Sequence, residues 1–250
     1  MGDAKRIIVR PISSADARRV VKALHYSHKV MSNSQIHLGV FLGDRCGGAM
    51  QFGPSIDKRK TQGLVAETGW HEFIELNRLA FADWLPRNSE SRAIAYALRW
   101  MRATCPWIKW VISFADATQC GDGAIYRASG FLLTGVTRNK TILRLPDGSI
   151  VADKTLNDHV SAVNGRGGTA QARAQGAVPL PGFQLRYVYF LDPSARARLT
   201  VPVLPFSEIA RLGAGMYRGH VRDRSRENAA PPPSGEGGEI PTRSLQKPPR

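Results

Sequence analysis

Apolar and polar positions along this chain follow two periods, and the switches between them mark out its elements. Arg6-Ile7-Ile8-Val9-Arg10 reads as a first strand, after which Ser13 or Ser14 can cap a helix whose Ala17, Val20, Val21 and Leu24 recur at helical spacing. Ile36 to Phe41 and Gly48 to Phe52 are strand-like runs joined by Gly43-Asp44-Arg45-Cys46-Gly47, a loop whose glycines and aspartate suit a hairpin turn. Glu72 to Phe81 alternates as a strand. Beyond a break at Pro86, Ser89-Glu90-Ser91-Arg92 opens a long helix with Ile94, Leu98 and Met101 on one face and Arg92, Arg99 and Arg102 toward solvent, stopped by Pro106. The run Trp110 to Ala115 predicts a buried strand ending in Asp116, and a short helix-like stretch around Tyr126 follows. Thr141 to Leu145, a turn at Pro146-Asp147-Gly148, and Phe183 to Phe190 complete the order β-α-β-β-β-α-β-α-β-β. This is an α/β pattern, with a mixed sheet of about six to seven strands flanked by helices.

Two stretches break the pattern. Ser161 to Gly182 is rich in Gly, Ala, Gln and Arg and has no acidic residue, so it reads as a flexible basic insertion offering Arg166 and Arg173 to phosphates, or as an inert one. Residues 222–250, with Pro231-Pro232-Pro233 and a glycine-rich run, have the composition of a disordered tail.

Composition sets the class of partner. With 42% apolar residues in 250, the chain has enough for one globular domain plus extras. The net charge is +15 and the pI about 10.4, which favours a polyanion, usually nucleic acid. Residues 222–250 hold six basic and four acidic side chains, so most of the excess belongs to the folded part. Cys46, Cys105 and Cys120 are odd in number and far apart, which supports neither a disulfide framework nor a zinc knuckle and fits a reducing cytoplasm. Neither a membrane-length apolar stretch nor a signal-peptide core is present, so no membrane partner is expected.

Ionisable groups gather at strand ends, where clefts form in open α/β sheets. Asp116 can accept a proton, bind a metal, or simply cap the next helix. Tyr126 can donate a proton or pack in the core. Arg78 interrupts a strand expected to be central and needs a partner, Asp116 or Glu75, or a ligand. His25 and His28, three apart, can face one way at a helix end, but two histidines alone do not define a metal site. Trp70, Trp84, Tyr26 and Phe52 are aromatic candidates for stacking on a base.

This order of elements, with Arg78 on the central strand, a helix opening at Ser89 to Arg92 and the closing Ala124-Ile125-Tyr126-Arg127-Ala128-Ser129-Gly130-Phe131, resembles the GNAT acyltransferase superfamily. Within it, His25-Tyr26-Ser27-His28, Glu75-Leu76-Asn77-Arg78-Leu79, Ser113-Phe114-Ala115-Asp116 and Gly121-Asp122-Gly123-Ala124-Ile125-Tyr126 look like the Mom family of phage DNA-modification proteins, over roughly residues 6 to 157. The resemblance implies a GNAT-like catalytic domain over residues 1–200, leaving 201–221 as a C-terminal extension. It implies conversion of adenine N6 in double-stranded DNA to N6-carbamoylmethyladenine, an anti-restriction mark, on a base flipped out of the duplex. The site residues it implies are Tyr126, Asp116, Arg78, His25, Tyr26 and Ser27. An acetyl-CoA-like donor would lie on Leu79, Phe81, Arg87, Asn88, Ser89, Ser91 and Arg92, with serines where GNAT enzymes carry glycines, and iron is a further candidate. Attack of an amine on an acetyl thioester gives an N-acetyl group, not a CH2 beside nitrogen. The donor must therefore be unusual, metal-assisted or glycine-derived. The alternatives are a coenzyme A-dependent N-acetyltransferase of small amines or proteins, and a nucleic-acid-binding protein on an inactive scaffold. The setting expected is the cytoplasm of a bacterial host.

Overall fold

A computed structural model describes residues 3–153, 155–157 and 168–221. Arg166, the first part of the basic insertion and the tail from residue 222 lie outside the described residues. Twelve strands and six helices are named here in chain order: β1 (Ile7–Pro11), α1 (Ser14–Leu24), β2 (Ile36–Leu42), β3 (Arg45–Gly53), α2 (Lys58–Gln62), β4 (Phe73–Phe81), α3 (Ser89–Thr104), β5 (Trp110–Ala117), α4 (Ala124–Ala128), β6 (Leu132–Arg138), β7 (Ile142–Arg144), β8 (Ile150–Ala152), α5 (Gly168–Ala174), β9 (Val178–Pro179), β10 (Phe183–Phe190), α6 (Ser207–Arg211), β11 (Met216–Tyr217) and β12 (His220–Val221).

Seven strands form the expected mixed sheet, in the order β1-β2-β3-β4-β5-β10-β6. Every neighbouring pair is antiparallel except β4 and β5, which run parallel. α1 begins where its sequence says, with the Ser13 hydroxyl accepting from the Asp16 amide at 3.0 Å, and buries Ala17 and Val21. α3 buries Ala93, Ile94, Ala97, Leu98 and Met101, the stripe expected from helical spacing, in the main core. On the other face a smaller core centres on Trp110, stacked on Phe73 at 4.7 Å between ring centroids, with its Nε1 donating to Thr68 Oγ1 at 3.2 Å.

Three expectations need correction. The edge strand beside β10 is β6, a stretch not read as a strand, whereas Ile142–Arg144 leaves the main sheet to form a separate one, in the order β8-β7-β9. The part of the insertion from residue 168 to 182 has fixed structure: α5 and β9, with Ala172 and Ala177 buried against Leu143. Small residues suffice there because Leu143, with Leu145, Val151 and Leu156 beside it, supplies the larger apolar groups. Arg102, expected to point to solvent, donates instead to the Leu191 carbonyl at 3.1 Å and to the Tyr189 hydroxyl at 2.8 Å, pinning the end of β10 to α3.

Candidate active site

The parallel pairing of β4 with β5 covers only Phe73 to Glu75 against Trp110 to Ile112. Beyond that point the strands part. Where the gap opens, the Ser113 hydroxyl crosses it to the Leu76 carbonyl at 2.9 Å. A register shift against β3 leaves Asn77 as an extra residue between Leu76 and Arg78. From there to Phe81, β4 has β3 on one edge only, so main-chain groups on its other edge face the gap.

Two kinds of side chain reach this opening, from opposite faces of the sheet. By alternation, Asp116 shares a face with Ile112 and Phe114, while Ser113 and Ala115 face the main core, where Tyr126 lies. On the first face, Tyr26 donates to Asp116 Oδ2 at 3.0 Å across 90 residues of sequence. The same carboxylate accepts from the Thr118 amide at 2.9 Å and the Gln119 side chain at 3.0 Å. Asp116 therefore shapes the turn that follows β5, rather than capping α4, and holds Tyr26. Burial, then the charge and hydrogen bond of Asp116, push the Tyr26 phenol well above its ordinary range. Burial and the same carboxylate raise the Cys120 thiol.

Arg78 lies on this face too, and its partners differ from those expected. Neither Asp116 nor Glu75 pairs with it; Nε donates to the Lys29 carbonyl at 2.7 Å and a terminal nitrogen to the Asn77 carbonyl at 2.6 Å. The extra residue at Asn77 turns that carbonyl toward the guanidinium. Burial lowers the Arg78 pKa, opposed by Tyr26 and Glu75, and burial raises Glu75, opposed by Ser55 and Arg78.

His25 and His28 do not face one way. α1 stops at Leu24, and His25 turns its Nδ1 to the Ser27 hydroxyl at 2.9 Å while His28, at φ 52°, meets the Lys22 carbonyl at 2.8 Å. Among the described residues no three His, Cys, Asp or Glu side chains gather as a metal site. Those described residues therefore offer iron no three-residue ligand set. The His25 ring lies tilted against Tyr26, 4.5 Å between centroids, and burial, then Arg78 and His28, push its pKa down to about 4.

This shift makes stability depend on pH. An unfolded His25 takes up its proton near pH 6.5, the folded one only near 4, so its stabilising share is complete above 6.5 and lost as pH falls to 4. A loss of about 3 kcal/mol is expected across that window. Urea unfolding at pH 7 and 4.5 should show a steeper decline for the parent chain than for His25→Gln; equal declines would remove His25 as the cause.

On the core face, Tyr126 is buried among Phe131 and Tyr187, at 5.5 and 5.3 Å. Burial, opposed by the Ser113 hydroxyl and aided by Cys120, Glu75 and Tyr187, pushes its phenol up to about 12. Gly123 opens α4 at φ +81°, where a Cβ would come within 2.5 Å of Tyr187, and only a glycine allows that approach. Cys120 and Glu75 are near enough to act on Tyr126, Asp116 on Cys120, and Arg78 on Glu75. Tyr126 thus lies on the core face of β5 and Asp116 on the other.

The donor-binding positions are arranged differently from expectation. Asn88 takes φ 70°, the left-handed conformation that glycine adopts most readily, and gives α3 no side-chain cap. Ser89 and Ser91 turn their hydroxyls back to the carbonyls of Pro86 and Asn88, at 2.6 and 3.2 Å. Leu79 and Phe81 pack their side chains on the main core, leaving only their main chain to the gap. Of the stacking candidates, Phe52 is buried in the core, and Trp70 lies beneath Lys58 at 4.3 Å, ahead of β4 and at the closed end of the gap. Trp84 lies beneath Arg45 at 4.1 Å. Tyr26, 44% exposed, is the aromatic beside Asp116. Ser113 was legible only as a polar break in an apolar run, and Cys120 carried no signal.

An acid, an arginine and a tyrosine thus meet at the open end of a split parallel pair on a mixed α/β sheet. Solved acetyltransferases have folds of this kind. The spermidine/spermine N-acetyltransferase SpeG from Vibrio cholerae is 10% identical with a TM-score of 0.43, covering 78% of this chain and 98% of its own. Arabidopsis thaliana NAA60, solved with a bisubstrate analogue, is 11% identical with a TM-score of 0.45, covering 74% and 97%. The profile of the Mom protein family matches residues 6–208, and the chain belongs to that family. The methylcarbamoylase Mom of Escherichia phage Mu is 39% identical over 197 residues, 78% of this chain and 80% of that protein. The chain is a transferase, as expected.

Proposed function

We propose that this chain modifies DNA, converting adenine N6 to N6-carbamoylmethyladenine on a base turned out of the duplex. The observation that carries it is the meeting of Tyr26 with Asp116 beside Arg78 at the open end of β4 and β5. A relative named for methylcarbamoylation and the +15 charge supply the substrate class. The N6 amine of a paired base is out of reach, and turning it out costs a few kcal/mol that phosphate contacts can offset.

In this reading Asp116 receives the proton that N6 loses, Tyr26 holds the carboxylate in place, and Arg78 and His25 shape the base-side wall. His25 stays neutral near pH 7. Tyr126 keeps its own proton at that pH and gives it to the departing thiolate from the core side. A coenzyme A-type donor fits the cradle through the uncapped amides of α3, Arg87 and Arg92, not through the serine hydroxyls. When bound it supplies an activated carbonyl. The carboxamide nitrogen of the product does not come from an acetyl thioester; a glycyl thioester carries every atom of the carbamoylmethyl group, and its transfer to N6 gives N–CO–CH2–NH2, which an isomerisation within that group must then turn into N–CH2–CO–NH2. No helix among the described residues is long and apolar enough to cross a membrane, and action on DNA would place the chain in the host cytoplasm.

Nucleoside mass spectrometry of DNA from a host making the protein tests the reading. Carbamoylmethylated deoxyadenosine is expected with the parent chain and none with Tyr126→Phe. Unmodified DNA with the parent, or an acetylated small amine or protein in its place, would overturn it.

A further inference from the structure

The β8-β7-β9 sheet and α5 form an arm that is tied down on both sides of the Tyr26–Asp116 pair. On one side its neck closes where the Asn139 amide donates to the Gly182 carbonyl at 2.8 Å, and both residues rest on Thr118: Asn139 Nδ2 donates to Thr118 Oγ1 at 3.0 Å. Gly182 approaches so closely that a Cβ would stand 2.4 Å from that oxygen. Thr118 is the residue whose amide binds Asp116 Oδ1. On the other side, Lys29 Nζ donates to Thr155 Oγ1 at 2.8 Å, and the Lys29 carbonyl holds Arg78. The arm therefore bridges the strand end that carries Asp116 and the loop that follows Tyr26.

Its outer surface is cationic. Arg173 donates to the Lys140 carbonyl at 3.5 Å, which brings two exposed cations from α5 and the neck together, and Arg138 and Arg144 are exposed nearby in sequence. Of the arm's described acids, Asp147 accepts from Ser149 at the turn tip, and Asp153 is half-buried. Exposed cations gathered on one surface favour a polyanion against it.

We propose that this arm grips the DNA backbone beside the everted base, with Lys140 and Arg173 on phosphates and Arg138 and Arg144 extending the track. The proposal rests on the DNA reading above and adds where the duplex lies. Because both tethers end beside the acid–tyrosine pair, phosphates held there set the distance from backbone to site.

Fluorescence anisotropy with a duplex of about 20 base pairs tests it over a range of salt. Lys140→Glu/Arg173→Glu should weaken binding at least ten-fold and lower the slope of log K against log salt by about two. Arg99→Glu/Arg196→Glu makes the same change of charge at exposed positions away from the arm and should cost less than a third of that loss. Equal losses for the two pairs, or no loss for the arm pair when melting shows both folded, would overturn the arm. If the parent chain still marks adenine in that case, the function stands without it; if the parent neither binds duplex nor marks adenine, both fall.

Discussion

Asp116→Asn is expected to cut adenine modification about a hundred-fold or more, the usual weight of a positioned proton acceptor. Asparagine keeps an oxygen for the Thr118 amide, so the turn after β5 survives. Its amide nitrogen, however, must face Tyr26 and Gln119, both of which donate to the present carboxylate. The fold should lose only about 1 kcal/mol from those mismatched contacts, while the group that takes up the N6 proton is gone. Modified adenine per genome, set beside the melting curve of the purified variant, separates the two effects. Near-parental modification would remove Asp116 from the chemistry and reduce its role to shaping a turn.

The largest effect on stability is expected at Trp110→Ala, about 3–5 kcal/mol. The indole is fully buried, its stack on Phe73 fills the smaller core, and its N–H satisfies Thr68. Trp110 and Phe73 are also partners in the short parallel stretch that precedes the gap, so a cavity there loosens the hinge from which β4 and β5 part. Since a domain of this kind is stable by only about 5–15 kcal/mol, the variant should unfold at a much lower urea concentration. A midpoint within experimental error of the parent would show that the smaller core carries little of the fold.

These two residues were legible in the sequence to different depths. Trp110 heads an apolar run, and an indole at that position is read as core without any coordinates. Asp116 was legible as a carboxylate at a strand end, but Tyr26 as its partner was not, and Arg78 was matched with acids instead of the carbonyls of Lys29 and Asn77. The arm was misread because the insertion's own buried side chains, Ala172 and Ala177, carry little signal of burial. β6 was missed because Thr134 and Gly135 blunt its alternation.

By itself the sequence determined the elements that depend on a chain's near neighbours: the Ser13 cap, the apolar stripe of α3, and the hairpin of β2 and β3. Periodicity and capping act over a few residues and are written locally. Only the tertiary structure decided the parting of β4 from β5, the extra residue at Asn77, the meeting of Tyr26 with Asp116 and the arm over them. Those follow from strand register and from loop paths joining residues up to 126 positions apart, where the energy lies in contacts that no local pattern records.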